Sequence, residues 1–174
     1  VPQDEIPVRP AQHYIMGGVK TNLDAMTSME GLYACGEVAS TGIHGANRLA
    51  SNSMLECLVF ARRAARHING ASRKIKELSL PDSTHWTKEI TSEEIARDRA
   101  LVRETLTKYA GVVRHSKKLQ AGAQIIGELL EKYRPLRLDT KDAYEICNMA
   151  QTAKMIFDAA CARKESIGAH YIVD

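Results

Sequence analysis

The run Gly42-Ile43-His44-Gly45-Ala46-Asn47-Arg48-Leu49-Ala50-Ser51-Asn52-Ser53-Met54-Leu55-Glu56 concentrates the chemistry of this chain. A histidine, an arginine and several small residues lead into a segment of helical character. A helix N-terminus carries roughly half a positive charge and several unpaired N–H groups, and anions bind in such places. An arginine just ahead of it adds a fixed, fork-shaped donor suited to a carboxylate. Gly42 and Gly45 let a flat ligand lie against the backbone. The pattern predicts a site for something anionic and planar, completed by residues outside this chain.

A helix over about residues 51–68 must present that loop. Met54, Leu55, Leu58, Ala61, Ala65 and Ile68 recur at helical spacing and are expected to face inward, with Glu56, Arg62, Arg63 and Arg66 on other faces. Asn69-Gly70 is expected to end it through a left-handed glycine cap. Ahead of it, His13-Tyr14-Ile15-Met16 reads as extended chain closed by Gly17-Gly18, and Val19-Lys20-Thr21 resumes the extended pattern. Turns are expected at 22–24 and 28–30. Gly31-Leu32-Tyr33-Ala34-Cys35-Gly36-Glu37 suits a buried parallel strand.

Residues 71–90 have the composition of a linker, and beyond them the pattern is helical. Thr91 to Glu94 is a capping box, followed by a stripe of Ile95, Val102, Leu106 and Tyr109 that Gly111 interrupts. Ser116 is expected to cap a second helix carrying Leu119, Ala123, Ile126, Leu130 and Tyr133, stopped by Pro135. Asp139 or Thr140 opens a third, with Ala143, Ile146, Cys147, Ala150, Phe157 and Cys161 inward. Three amphipathic helices with short connections predict an antiparallel bundle. The expected fold is mainly α: a helical domain over 76–174 preceded by an incomplete α/β piece over 1–75.

Composition narrows the function classes. The chain has 174 residues, 44% of them hydrophobic but only 5% aromatic, so its core is built from aliphatic side chains. A formal charge of +3 gives no argument for nucleic acid or a membrane surface, and no apolar run approaches a membrane span. Val1, in a Pro-rich stretch, reads as a boundary within a longer parent. Cys35, Cys57, Cys147 and Cys161 form no CxxC pair and read as buried free thiols of a cytoplasmic protein. His67, His85 and His115 lack clustered ligand partners, so no metal site is expected. A loop-stabilising hydrogen bond is the expected role of His44.

Three blocks then stand in order: Arg9 to Gly18, Gly31 to Glu37, and His44 to Ser53. Together they resemble the succinate dehydrogenase/fumarate reductase flavoprotein superfamily, and within it the L-aspartate oxidase family. Asn47 to Ser53 leans to the oxidases, since the dehydrogenases and reductases more often carry glycines where Ala50 and Ser51 stand. Lys108 to Arg114 is similar to the oxidases' C-terminal bundle. The resemblance covers nearly the whole chain but only the last third of such an enzyme. The N-terminal Gly-x-Gly-x-x-Gly segment that grips the FAD pyrophosphate is not found here, nor is the capping domain.

The resemblance implies roles. Glu37 would bind the FAD ribose, and Ser53 and Met54 would meet the flavin through backbone N–H groups. His13 and Arg48 would bind one carboxylate of L-aspartate, positioned for hydride transfer to flavin. The product would be iminoaspartate, on the quinolinate route to NAD, with oxygen or fumarate as electron acceptor. A homodimer could arise by exchange of the first segment between two chains. The competing readings are a succinate dehydrogenase or fumarate reductase flavoprotein subunit, and a non-catalytic helical interaction module. The family's closing motif, approximately Glu-Ser-Arg-Gly-x-His-Tyr-Arg, is here Glu165 to Ile172, with Ile167 and Ile172 replacing both arginines. That replacement touches the docking of the C-terminal tail and leaves His13 and Arg48 intact.

Overall fold

A computed structural model describes residues 5–8, 13–71 and 88–174; the side chains of Lys88, Glu89 and Arg137 are not described. The chain divides into two compact units, one of residues 12–79 and one of residues 80–174 with 1–11. The expected boundary near residue 75, most of the expected linker and His85 lie outside the described residues.

In the first unit, β1 (Val19–Lys20) pairs in parallel with β2 (Ala39–Ser40), Val19 opposite Ala39. Gly18, at φ 132°, makes this approach possible, because a Cβ there would strike the Val38 carbonyl. The strand expected over 31–37 does not form. Asn22 Oδ1 accepts from the N–H groups of Asp24 (2.9 Å) and Met26 (3.0 Å), which folds the chain tightly back. A single bridge, Met26 with Tyr33, follows. Gly36 then turns at φ 76°, so ladder pairing starts only at Ala39. Residues 13–16 likewise form no ladder.

Helix α1 spans Asn52–Gly70. Its buried residues are Glu56, Phe60 and Ala64, and the last two pack with Ala25, Tyr33 and Cys35. The stripe expected to face inward is instead exposed: Met54 is 66%, Leu55 60% and Leu58 64% accessible. α1 is apolar on two faces, and the loops of this unit cover only one. Its C-terminal end also differs from expectation. Gly70 stays helical, and the extended Ala71 donates its N–H to the His67 and Ile68 carbonyls.

The second unit holds β3 (Lys88–Glu89), α2 (Ser92–Tyr109), β4 (Val113–Arg114), α3 (Ser116–Tyr133), β5 (Leu136–Arg137), α4 (Lys141–Ala162) and β6 (Tyr171–Ile172). β3 pairs with β5 and β4 with β6, both in parallel. The start of α2 thus lies beside the α3–α4 junction, and the α2–α3 junction beside the chain leaving α4. That is an up-down-up three-helix bundle. Its core includes Val102, Leu119, Ile126, Ile146 and Phe157. Gly122 of α3 faces the Phe157 ring and Tyr109 Cβ with no room for a methyl group.

Thr91 and Glu94 form the expected reciprocal capping box, and Thr140 Oγ1 accepts from the Ala143 N–H at 3.2 Å. Ser116 is not a cap. His115 precedes the helix without a side-chain bond, and both oxygens of Asp174 accept from the Ser116 N–H at 2.9 Å. The C-terminal tail docks although Ile167 and Ile172 replace the motif's arginines. It uses backbone pairing of β6 with β4 and a 2.9 Å contact between Arg114 Nη1 and His170 Nδ1. The four cysteines are free and half-buried rather than fully buried. Among the described residues, no helix is long and apolar enough to cross a membrane.

Candidate functional site

The sequence-predicted site residues all belong to the first unit. The loop entering α1 is shaped by Gly42 (φ 86°) and Gly45 (φ 54°), closed by a Gly45 N–H bond to the Gly42 carbonyl at 3.2 Å. A Cβ built at either glycine meets nothing within 4 Å, so this side of the loop is open. Ser51 precedes the helix at φ 69°, a left-handed conformation unusual for a residue with a side chain. It makes no side-chain cap, and the first turn carries no acid. The positive end of α1 is therefore not neutralised by its own first turn. Ser53 is half-buried and Met54 exposed there, and the Met54 N–H reaches the Ser51 carbonyl at 3.3 Å.

Beneath the loop lies Glu56, 1% exposed. Its Oε1 accepts from Thr41 Oγ1 at 2.5 Å. Its Oε2 accepts from Tyr14 Oη at 3.0 Å and contacts His44 Nε2 at 2.7 Å. Burial alone would raise this carboxyl; the bonds from Thr41, His44 and Tyr14 outweigh it and hold the group below its ordinary 4.5. Burial and the Glu56 carboxylate push the Tyr14 phenol up to about 12. The His44 ring meets Tyr14 edge-on, centroids 5.6 Å apart. The Arg48 guanidinium lies over the Tyr14 ring, 4.6 Å from its centroid.

Among the described residues no carboxylate pairs with Arg48. His13 is exposed and adjoins Tyr14 in the chain. Glu37 is also exposed; its Oε1 accepts the Ile15 N–H at 3.3 Å. The segment 13–15 is thus held at Tyr14 by Glu56 and at Ile15 by Glu37. His44 has the loop-stabilising hydrogen bond expected of it. Tyr14, Thr41 and Glu56 were not legible as site residues. Glu56 reads as a solvated helix position, and only its place in an otherwise apolar stretch hints at burial. No cluster of metal-ligating side chains occurs among the described residues.

Comparison with known proteins finds relatives along the whole chain. The FAD binding domain family matches residues 1–54, and the fumarate reductase flavoprotein C-terminal family matches residues 99–174. The L-aspartate oxidase of Acinetobacter baylyi is 39% identical over 183 residues, an alignment covering 100% of this chain and 33% of that protein. The chloroplastic L-aspartate oxidase of Arabidopsis thaliana is 38% identical, covering 100% of this chain and 30% of its own length. Among solved structures, a mutant FrdA of E. coli quinol fumarate reductase superposes with TM-score 0.75 at 27% identity, covering 99% of this chain and 33% of that one. The Mycobacterium smegmatis Sdh1 complex in the apo form gives 0.73 at 26% identity, covering 92% and 30%. The chain spans about a third of the length of the curated relatives it matches. With both family matches in chain order, and with oxidase relatives along its whole length, the chain belongs to the fumarate reductase/succinate dehydrogenase flavoprotein superfamily, as a C-terminal portion.

Proposed function

We propose that this chain is the C-terminal part of an FAD-dependent L-aspartate oxidase that converts L-aspartate to iminoaspartate. The observation that carries the reading is Arg48: stacked on Tyr14, next in the chain to His13, and without a carboxylate partner among the described residues. A substrate dicarboxylate supplies that partner. Arg48 binds it through the fork of its guanidinium, and His13 shares the same carboxylate.

The residues fit FAD. The uncapped first turn of α1 offers the Ser53 N–H and a positive dipole end, while the Met54 N–H would have to exchange its 3.3 Å bond to the Ser51 carbonyl for the flavin; the glycine loop beside it is open on one side. Exposed Glu37 spends Oε1 on Ile15, leaving Oε2 for a ribose hydroxyl. When bound, FAD supplies the two-electron acceptor, which oxygen or fumarate then reoxidises. The pyrophosphate grip and capping domain belong to the rest of the parent. The half-buried free thiols favour a cytoplasmic location.

The test is purification of the full-length parent. A yellow protein that consumes L-aspartate and not succinate, with non-covalent flavin, is the expected result. Succinate oxidation with covalent flavin would favour a succinate dehydrogenase or fumarate reductase subunit, the reading that the likeness to solved structures at 26% and 27% identity supports. A colourless parent would leave only a helical interaction module. The isolated chain is expected to purify colourless and to produce no aspartate-dependent peroxide.

A further inference from the structure

The geometry points to Glu56 as the positioning residue of the Arg48 site, an inference that rests on the substrate-binding reading above. One buried carboxylate gathers the two segments that carry the site. Tyr14, 42 residues away in sequence, is bonded through its hydroxyl and stands next to His13. Thr41 and His44 are bonded on the approach to Arg48. The ring that Glu56 fixes is the surface on which the guanidinium lies, and the His44 ring braces that surface at 90°.

Each bond uses Glu56 as acceptor, so its two oxygens serve three donors. No aliphatic residue of the same volume could do this. Loss of the carboxylate would free the Tyr14 ring to swing and let the Arg48 fork leave its orientation. Glutamine can keep much of the arrangement. Its carbonyl accepts from Tyr14 and His44, and its amide donates to the Thr41 hydroxyl, which also accepts.

The experiment measures L-aspartate KM, kcat and FAD content in the full-length flavoenzyme, for Glu56→Leu, Glu56→Gln and Tyr14→Phe, each with and without Arg48→Leu. Glu56→Leu is expected to raise KM roughly 10- to 100-fold, the scale of misplacing a binding group by about an ångström, with FAD content unchanged. Glu56→Gln should recover most of that loss. In the Arg48→Leu background, Glu56→Leu should change KM little further, because its effect passes through Arg48. Should Glu56→Leu fail to yield holoenzyme, Tyr14→Phe carries the test. It removes only the hydroxyl held by Glu56, and should raise KM severalfold with Arg48 present and not without it. Equal fold-changes in both backgrounds, or an unchanged KM with Arg48→Leu itself defective, would overturn the positioning role alone. An unchanged KM in Arg48→Leu would overturn the substrate-site reading and this inference with it.

Discussion

Tyr14 and Arg48 are stacked, the guanidinium carbon 4.6 Å from the ring centroid. Such a contact contributes about 0.5–2 kcal/mol depending on desolvation, and it holds the arginine over the ring without engaging its N–H groups in hydrogen bonds. The same tyrosine closes the Glu56 network through its hydroxyl. Tyr14→Leu removes both interactions and leaves a buried acceptor one donor short. It should destabilise the first unit by about 1–3 kcal/mol, read as a lower urea midpoint at unchanged slope.

Stability of the first unit should fall at both pH extremes. Glu56 is held below 4.5 in the folded chain, so its contribution is complete above that pH and is lost as pH falls through the folded value. Tyr14 is pushed up from 10.0 to about 12, so its contribution is complete below pH 10 and is lost as pH rises toward 12. Thermal melts across pH, with phenol ionisation followed by ultraviolet absorbance, should show both limbs. Glu56→Gln should flatten the acid one.

Two glycines of α3 should respond oppositely to alanine. Gly122 packs against Phe157, which is fully buried, and Tyr109 Cβ would lie 2.9 Å from the new methyl. Overpacking of that kind costs about 1–3 kcal/mol and exceeds the roughly 1 kcal/mol gained in helix propensity. At Gly127 the nearest atom to the new methyl is Lys154 Cε, at 3.7 Å. Gly127→Ala should therefore raise the melting temperature, and Gly122→Ala lower it.

Local reciprocity made parts of this fold legible in the sequence. The Thr91–Glu94 box and the Thr140 cap involve residues three apart, so their pattern is complete in the chain itself. The cap on α3 was not legible, because its acceptor, Asp174, lies 58 residues away. The inward face of α1 is hidden in the sequence for a related reason. Both of its faces are apolar, and periodicity alone does not say which one the neighbouring loops cover. Residues 31–37 have the apolar content of a strand, yet the Asn22 turn and Gly36 spend that segment on a bridge and a bend. In the site, Arg48 and Glu37 stood out by residue type and by resemblance. Tyr14 and Glu56 gained meaning only through contacts made across the fold.

The most direct measurement of the central claim is Arg48→Leu in the full-length flavoenzyme. If Arg48 clamps a substrate carboxylate, FAD content stays at the wild-type level, and kcat/KM for L-aspartate falls by about 2–5 kcal/mol of transition-state stabilisation. Arg48→Lys should recover only part of this, since a point charge does not reproduce the fork. His13→Ala should act in the same direction more weakly, with a double mutant less than additive. Loss of FAD from Arg48→Leu, with the remaining holoenzyme keeping its L-aspartate KM, would contradict the account and make Arg48 a cofactor or loop residue.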